Sequence, residues 1–468
     1  MADVSASPTF ETTSSLNLRS LAAEVVERAV KAGATDAEVV VREGDEFSVS
    51  VRMGQVETLQ ESGSRGLGLR VLVGQRSASS STSDLTPDGI AQVVASALAL
   101  AQVTEEDAFA GLPDAADMGQ LPGDLHLYFD DVYSLPPAER IDRARRAEAA
   151  ALAADPRITN SQGGDFDAAT GRKVFANSRG FIGEYQTSYC GISAAPLAMD
   201  ANGAMQRDFW SSSARRIADL ESPESIGQEA ARRALRRLGA RRVPTQQVPI
   251  VFAPEVARSL LGHLFEAASG DSIWRSASFL VGELGKTIAA PGVTLVDDHT
   301  MILPNGVGGF GTSAFDGEGL PCRRTVVVQD GVLETYLLNT YAARKLNMRS
   351  TGNASRGLAG APGIGAGNLY LLPGKQTPEE LIAAIPAGFY VTSLMGFGAN
   401  MVTGDYSRGA SGLWIENGEL TFAVEEVTIA GNLRDMFKNI TAIANDLVFR
   451  GSVTAPTLRV DGMTVAGA

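Results

Sequence analysis

A histidine and a glutamate share one face of a helix predicted for residues 254–267, and this pair is a candidate for metal or acid–base chemistry. Pro254 suits the first helical turn, and apolar residues recur after it at helical spacing. His263 precedes Glu266 by one helical turn, so both side chains share a face. A catalytic zinc needs a third protein ligand, and the H-E-x-x-H motif that supplies two histidines is absent. The pair therefore indicates either part of a metal site or the polar edge of a helix.

Few other residues could complete such a site. The chain has three histidines and two cysteines, and their spacings match no zinc or redox motif. His126 and His299 follow aspartates closely, and either could join His263 only through the fold. Cys190 and Cys322 are expected to be free thiols. One alternative stays open, in which His263 and Glu266, with or without Cys322, form an atypical metal site of a self-sufficient peptidase.

A second stretch that could bind a ligand or take part in chemistry is the glycine-rich run over residues 396–412, GFGANMVTGDYSRGASG. Four polar residues stand between its glycines: Asp405, Tyr406, Ser407 and Arg408. Glycines permit the backbone to approach another molecule closely. The alternative is a tight turn between strands at 391–395 and 413–416, with Asp405 paired to Arg408. The residues alone favour neither interpretation.

The elements that must position these residues form two groups. Residues 16–243 predict an N-terminal α+β domain with helices at 17–32, 87–102, 137–154 and 223–238, strands at 37–42, 47–52, 56–61, 66–73 and 76–81, and further strands within 157–213. Alternation of apolar residues in these strands is typical of an antiparallel sheet covered on one side. Asn17 and Thr86 are suitable N-caps for the first two helices. The pattern predicts two layers, a sheet and its helices.

Residues 244–468 predict a β-rich C-terminal domain. The connection A-R-R-V-P-T over residues 240–245 carries a proline and marks the boundary. Short strands between glycines dominate beyond it, with helices expected only at 254–267, 377–385 and 432–444. At the other end of the chain, the Ser/Thr-rich residues 1–15 are expected to be disordered.

Composition and charge argue against several classes of function. A formal net charge of −14 disfavours nucleic-acid binding, which needs clustered Lys and Arg. No apolar run reaches the length of about eighteen residues that a membrane span needs. The N-terminus also lacks a basic segment followed by an apolar core, so secretion is not expected. Two cysteines without a disulfide pattern fit a reducing compartment, and we expect a cytoplasmic protein.

Specific phrases of the chain resemble a known family. They include F-A-P-E-V-A, L-L-G-H-L, S-G-D-S-I-W-R-S-A-S-F-L, F-D-G-E-G, L-L-N-T-Y-A-A-R-K-L, L-M-G-F-G-A-N-M-V-T-G-D-Y-S-R-G-A-S-G-L-W-I-E-N-G-E-L and I-A-G-N-L-R-D-M. Together they resemble the TldD/TldE (PmbA, modulator of DNA gyrase) family of metalloproteases, over nearly the whole chain.

The resemblance implies a particular role. The family pairs a zinc-bearing subunit, TldD, with a homologous subunit, TldE or PmbA, and the zinc-bearing one has H-E-x-x-x-H and a distal cysteine ligand. In this chain Leu261, Gly262 and Glu266 occupy the three helical ligand positions, and residues 445–456 contain no cysteine. The resemblance therefore implies a metal-free subunit with no cofactor or catalytic residue of its own, while zinc is expected in the partner.

The resemblance also implies a substrate cavity and a partner. Paired subunits of the family enclose a cavity that admits unfolded peptides, and an exposed strand edge could hold an extended backbone there. We expect the strand at 391–395 or its neighbour at 413–416 to line this cavity. The candidate cavity residues are Thr392, Leu394, Gly396, Asp405, Tyr406, Ser407 and Arg408. A homodimer is expected for the chain alone, through an apolar surface drawn from Phe310, Leu320, Leu394, Met395, Phe397, Met401 and Trp414.

Overall fold

The structure of the chain, a computed structural model, describes residues 17–119 and 122–467. The disorder expected for residues 1–15 lies outside the described residues. Within the described ranges, one N-terminal sheet is followed by three sheets in the C-terminal half. None of the helices in these ranges is long and apolar enough to cross a membrane.

The N-terminal half alternates long strands with capped helices. Its elements are α1 (Leu18–Lys31), β1 (Asp36–Arg52), β2 (Gln55–Val73), β3 (Arg76–Thr82), α2 (Pro87–Val103), α3 (Asp130–Ser134), α4 (Pro137–Ala153), β4 (Ile158–Asn177), β5 (Ile182–Met199), β6 (Met205–Arg207), β7 (Trp210–Ala214) and α5 (Pro223–Leu235), with 3-10 turns at Ala115–Asp117 and Ile217–Asp219. The side chains of Asn17 and Thr86 accept hydrogen bonds from the first turns of α1 and α2, as predicted.

β1 to β7 form one antiparallel sheet in the order β3-β2-β1-β4-β5-β6, with β7 paired to β5. The apolar odd-numbered residues of β1 are buried on one face, with α1 and α2 over one end and α4 and α5 over the other. The opposite face carries Val40 and Phe175, which pack against Phe315 of the C-terminal half. The predicted α+β layers are confirmed. The short strands predicted separately between residues 37 and 73 merge into two long ones, β1 and β2.

The C-terminal half is built mainly from strands, as predicted. Its elements are β8 (Gln246–Phe252), α6 (Pro254–Ala268), α7 (Gly270–Trp274), β9 (Leu295–Asp298), β10 (Arg324–Gln329), β11 (Val332–Leu333), α8 (Thr340–Lys345), β12 (Ala354–Ser355), β13 (Gly363–Ile364), β14 (Asn368–Leu371), α9 (Pro378–Ala383), β15 (Ala387–Met395), β16 (Asp405–Glu416), β17 (Glu419–Asn432), α10 (Leu433–Lys438), β18 (Ile440–Ile443), β19 (Val453–Thr454) and β20 (Leu458–Ala466).

The largest C-terminal sheet closes on itself. Its order is β17-β16-β15-β8-β20-β18, and β17 also pairs with β20, so β17, β16, β15, β8 and β20 form a ring. α6 packs on this ring through Val256, Leu260 and Leu264. A second sheet, β11-β10-β9-β14-β19, shares the same hydrophobic core. The ring and α6 together hold the candidate cavity residues in place.

Two predicted elements differ from the structure. The helix expected over 432–444 ends at Lys438, because residues 440–443 form β18 and pair with β20. The β-branched Ile440 and Ile443 fit this strand, and cross-strand pairing outweighs helix propensity there. The turn considered for residues 396–412 is confined to residues 396–404, since β16 begins at Asp405 and pairs with β15 as far as Met395 and Gly409. The domain boundary at 243/244 stays a prediction.

Candidate functional site

A cleft of about 500 Å3 lies between the two halves of the chain and brings together three of the candidate cavity residues, Thr392, Leu394 and Arg408. One wall comes from β7 and α5 of the N-terminal half. The other comes from the start of α6, from β15 and β16, and from residues 446–455. The cleft is therefore assembled from segments that are far apart in sequence.

One edge of β15 opens into this cleft. Its parallel pairing with β8 covers Phe389–Val391 and stops where β8 ends. The N–H of Ala253 donates to the carbonyl of Val391 at 3.0 Å, and the chain then turns into α6 at Pro254, which has no N–H to extend the ladder. The described residues offer no further strand to this side of residues 392–395. Such an edge can hydrogen-bond the backbone of an extended peptide.

Tyr406 and Arg408 lie two positions apart on β16 and meet His263 of α6. The rings of His263 and Tyr406 are in edge contact, with centroids 6.0 Å apart. Two buried atoms, His263 Nε2 and Arg408 Nε, have no hydrogen-bond partner among the described residues, and Tyr406 Oη has none there beyond the side chain of Arg408. Buried polar atoms without partners are uncommon, and water or a ligand usually satisfies them. This His263–Tyr406–Arg408 cluster can therefore bind a polar group at the edge of the cleft.

Burial and charge keep His263 and Tyr406 neutral at neutral pH. Burial, and secondarily the positive charge of Arg408, lower the pKa of His263 below its ordinary value. Burial raises the pKa of Tyr406 to about 12, against the opposing effect of Arg408. Among the described residues no carboxylate forms an ion pair with Arg408. The cluster thus presents a neutral imidazole and a neutral phenol beside an uncompensated guanidinium.

The remaining candidates lie away from this cluster. Asp405 and Ser407 are exposed, with their side chains on the other face of β16, and Gly396 lies in the exposed loop with a φ of +77°. The pairing considered between Asp405 and Arg408 is not formed. Asp405 accepts hydrogen bonds from Thr403 Oγ1 at 2.7 Å and from Asn432 Nδ2 at 3.3 Å instead, because alternate residues of a strand face opposite sides.

α6 does not present the ligands of a zinc peptidase. Leu261 is buried in the C-terminal core, Gly262 has no side chain, and Glu266 is exposed. Residues 446–455 line the same cleft as α6, but they supply no cysteine. In the described ranges, no three His, Cys, Asp or Glu side chains are placed to hold a metal ion.

His263 also fits poorly as a ligand. Its Nε2 is free of hydrogen bonds within the described structure, which would suit metal binding. The nearby guanidinium of Arg408, however, lowers the pKa of the ring by repelling a second positive charge, and it would repel a metal cation in the same way. The residues of this site therefore do not fit zinc.

The other histidines and the cysteines lie in separate surroundings. His126 is exposed, with Nδ1 3.3 Å from Asp124 Oδ2. His299 is buried, and its Nε2 lies 3.1 Å from Asp297 Oδ2. Cys322 contacts Ser313, with Sγ and Oγ 3.2 Å apart. Cys190 is buried under the N-terminal sheet, and burial raises the pKa of its thiol to about 12.

Three residues of the cleft were missed by the sequence analysis. Trp210 lies between Arg233 and Arg450, whose guanidinium carbons are 4.8 Å and 4.5 Å from its ring centroid. Arg233 also contacts Glu255 of α6 at 3.1 Å, which joins the two halves of the chain. No local pattern marks these residues, because they are distant in sequence and meet only in the fold.

Comparison with known proteins gives the same family over most of the chain. Models of the PmbA/TldA metallopeptidase domains match as domain 1 at residues 37–101, the central domain at 130–238 and the C-terminal domain at 245–467. "Metalloprotease PmbA" of Escherichia coli O157:H7 is 39% identical over 431 residues, which is 92% of each chain.

Two solved structures share the fold. A Bacteroides thetaiotaomicron protein described as a modulator of DNA gyrase superposes with a TM-score of 0.87 at 29% identity, over 96% of this chain and 99% of that one. TldE from Thermococcus kodakarensis superposes with a TM-score of 0.85 at 19% identity, over 96% of this chain and all of that one (100%). The three domain matches and the near-complete alignment with PmbA establish that the chain belongs to the PmbA/TldD metalloprotease family.

Proposed function

We propose that this chain is the metal-free, PmbA/TldE-type subunit of a cytoplasmic zinc metalloprotease, in which a homologous TldD-type subunit carries the zinc. The observation that carries the proposal is the surface of α6. The start of the helix lines the same cleft as residues 446–455, and Leu261, Gly262 and Glu266 stand where the zinc-bearing subunit of the resembled family has His, Glu and His. The chain's contribution to catalysis is then the shape of the cavity.

The substrate class follows from the open edge of β15. An unpaired edge binds backbone groups, which every unfolded peptide presents, and it reads side chains only weakly. The His263–Tyr406–Arg408 cluster adds an uncompensated guanidinium and two neutral polar groups beside that edge. A peptide carbonyl or carboxylate would satisfy these atoms. Unfolded peptides are therefore the proposed substrates.

An exposed apolar loop supports association with a partner. Phe397 is fully exposed in the loop after β15, and both Val402 of the same loop and Met395 at the end of β15 are more than half exposed. Of the apolar residues expected at this surface, Leu320 and Trp414 are buried in the core instead. Exposed apolar side chains that cluster in this way are typical of an interface. We propose that the loop contacts the homologous zinc subunit, and a second copy of this chain when that subunit is absent.

A second candidate function is a self-sufficient peptidase with a metal at His263 and Glu266. The specific observation in its favour is the buried, unpartnered Nε2 of His263. The adjacent Arg408 opposes it. The two functions differ in whether the isolated chain cleaves peptides, so one assay separates them.

The assay measures cleavage of an unstructured fluorogenic peptide in the presence of zinc. We expect the chain alone to be inactive, and its mixture with a zinc-bearing TldD-type homologue to exceed the activity of that homologue alone. Glu266→Ala should leave the activity of the mixture close to that of the wild type, because Glu266 is exposed, lies outside the His263–Tyr406–Arg408 cluster and holds no metal in the proposal. Activity of the isolated chain that disappears in His263→Ala would instead establish the second candidate.

A further inference from the structure

A second cavity, of about 200 Å3, lies away from the cleft, between the N-terminal sheet and the C-terminal loops. Four basic side chains line it, Arg42, Lys173, His299 and Arg356, together with the hydroxyls of Ser313 and Ser355. Arg42 and Lys173 are direct cross-strand partners in the β1–β4 register. Like charges in this position repel each other. A shared counter-ion would remove that repulsion.

Arg356 adds a buried donor that the protein leaves unused. It is 7% exposed, and among the described residues its Nε has no hydrogen-bond partner. Its Nη1 lies 2.7 Å from Glu38 Oε1, and that carboxylate is also 2.7 Å from Arg70 Nη1. One carboxylate therefore faces two guanidinium groups. Burying a donor without a partner is destabilising, and a ligand acceptor would offset this cost.

The carboxylates around this cavity do not balance its positive charge. Asp297 is engaged with His299, and Glu38 is shared between two arginines. Asp316 lines the cavity, but burial raises its pKa, and burial together with the charge of Asp316 raises the pKa of Glu318 to about 7. Repulsion and burial thus keep this acidic pair from carrying two full charges. The lining therefore combines four basic side chains with a single carboxylate, that of Asp316, in a protein whose formal net charge is −14.

We propose that this cavity binds a phosphate group, either as inorganic phosphate or on a small organic molecule. The geometry favours a compact anion with more than one charge, because the donors converge from β1, β4 and two C-terminal loops. Arg42 and Lys173 come from the N-terminal sheet, whereas Arg356 and Ser313 come from the C-terminal half. Bound phosphate would therefore link the two halves and stabilise their packing.

Thermal unfolding at constant ionic strength tests this site. We expect inorganic phosphate to raise the Tm of the wild type saturably, relative to sodium chloride. Lys173→Gln should weaken the apparent affinity by about tenfold or more, because a charge-assisted hydrogen bond is lost. The Tm of each variant without phosphate is its own reference, because Lys173 Nζ also lies 5.6 Å and 5.4 Å from the ring centroids of Tyr185 and Phe315, and these contacts are lost in Lys173→Gln. Lys286→Gln, an exposed control paired with Glu283, should respond like the wild type.

Arg42→Gln, at an exposed position, is the second variant, with the same expected loss of phosphate response. A phosphorylated sugar added to the wild type distinguishes the two sources of the phosphate group. If it binds more tightly than inorganic phosphate, the ligand is a phosphate ester. If it binds more weakly, the ligand is free phosphate. The proposal would be overturned if phosphate did not raise the Tm of the wild type, or if it raised the Tm of both cavity variants as much as that of the wild type. Equal protection by acetate would also overturn it, since the site would then select carboxylates.

Discussion

Arg408 carries a positive charge for which the described residues provide no carboxylate, and this charge acts on both of its buried neighbours. It lowers the pKa of His263 further than burial alone would, and it works against the rise in the pKa of Tyr406. The resulting cluster can donate hydrogen bonds from a guanidinium and a phenol without holding a metal. Its chemistry suits binding of a peptide group better than cleavage.

The pH dependence of stability depends on a different residue, His299. Burial disfavours its charged ring, but hydrogen bonds with Asp297 and Cys322 outweigh burial and raise its pKa to about 10. The folded pKa lies above the unfolded value of about 6.5, so this stabilisation is complete below about pH 6.5 and is lost as the pH rises towards the folded pKa. The wild type should lose about 2 kcal/mol more unfolding free energy than His299→Gln between about pH 6.5 and about pH 8.5.

Urea denaturation at the two pH values measures this difference. The amide introduced by His299→Gln can still donate a hydrogen bond to Asp297, which preserves the native packing as far as possible. Unlike the imidazole ring, it does not change its charge between the two pH values. His126→Gln is the matched control, because His126 is exposed and should leave the wild-type pH dependence unchanged. Equal pH dependence in the wild type and His299→Gln would contradict the assignment of a charged His299.

Single residues differ in how far their roles follow from sequence. His263, Tyr406 and Arg408 could be singled out, because their types and glycine neighbours are visible locally. The Asp405–Arg408 pair, one of the two alternatives considered, does not form, since the periodicity of β16 turns Asp405 to the other face. Trp210, Arg233 and Arg450 could not be found, because only the fold brings them into one wall.

At the scale of elements, β15 is an inner strand for part of its length and an open edge for the rest. It pairs with β16 throughout, but with β8 only over Phe389–Val391. Pro254 starts α6 just after β8 ends, and this switch creates the edge. The open edge therefore exists because the chain changes from strand to helix at a proline.

A proline placed in this edge tests its role. Leu394→Pro removes a backbone N–H beside the cleft, whereas Leu394→Val keeps the N–H with a similar apolar side chain. In a mixture with the zinc subunit, we expect Leu394→Pro to reduce peptide cleavage by about tenfold, the effect of losing about one strong hydrogen bond. Circular dichroism and Tm must first show that both variants fold. A folded Leu394→Pro protein that cleaves at the rate of Leu394→Val would remove this strand from the substrate path.

Elements with strong local signals follow from the sequence, and elements fixed by pairing do not. The caps at Asn17 and Thr86 and the apolar spacing of α6 identify helices directly. The helix expected beyond Lys438 is absent, because residues 440–443 form a strand that pairs with β20. Closure of the ring through β17 and β20 joins residues 428–430 to 464–466, and no local pattern signals that contact.

At the scale of the whole molecule, the two faces of the N-terminal sheet make different contacts. One face holds its helices, and the other packs on the C-terminal half and carries the basic residues of the phosphate cavity. The cleft lies elsewhere along the junction of the two halves, bordered by β7, α5 and α6. Composition and alternation predict such α+β layers, but they do not predict how the halves meet. That junction determines both proposed binding sites.

The central claim is that this chain works as the metal-free half of a zinc enzyme. Native mass spectrometry tests it most directly, because it reports subunit composition and bound metal in the same particle. We predict a metal-free homodimer for the chain alone, and a heterodimer with zinc in the partner subunit only after a TldD-type homologue is added. Zinc bound stoichiometrically to the isolated chain, or two homodimers that coexist without exchanging subunits, would contradict the account.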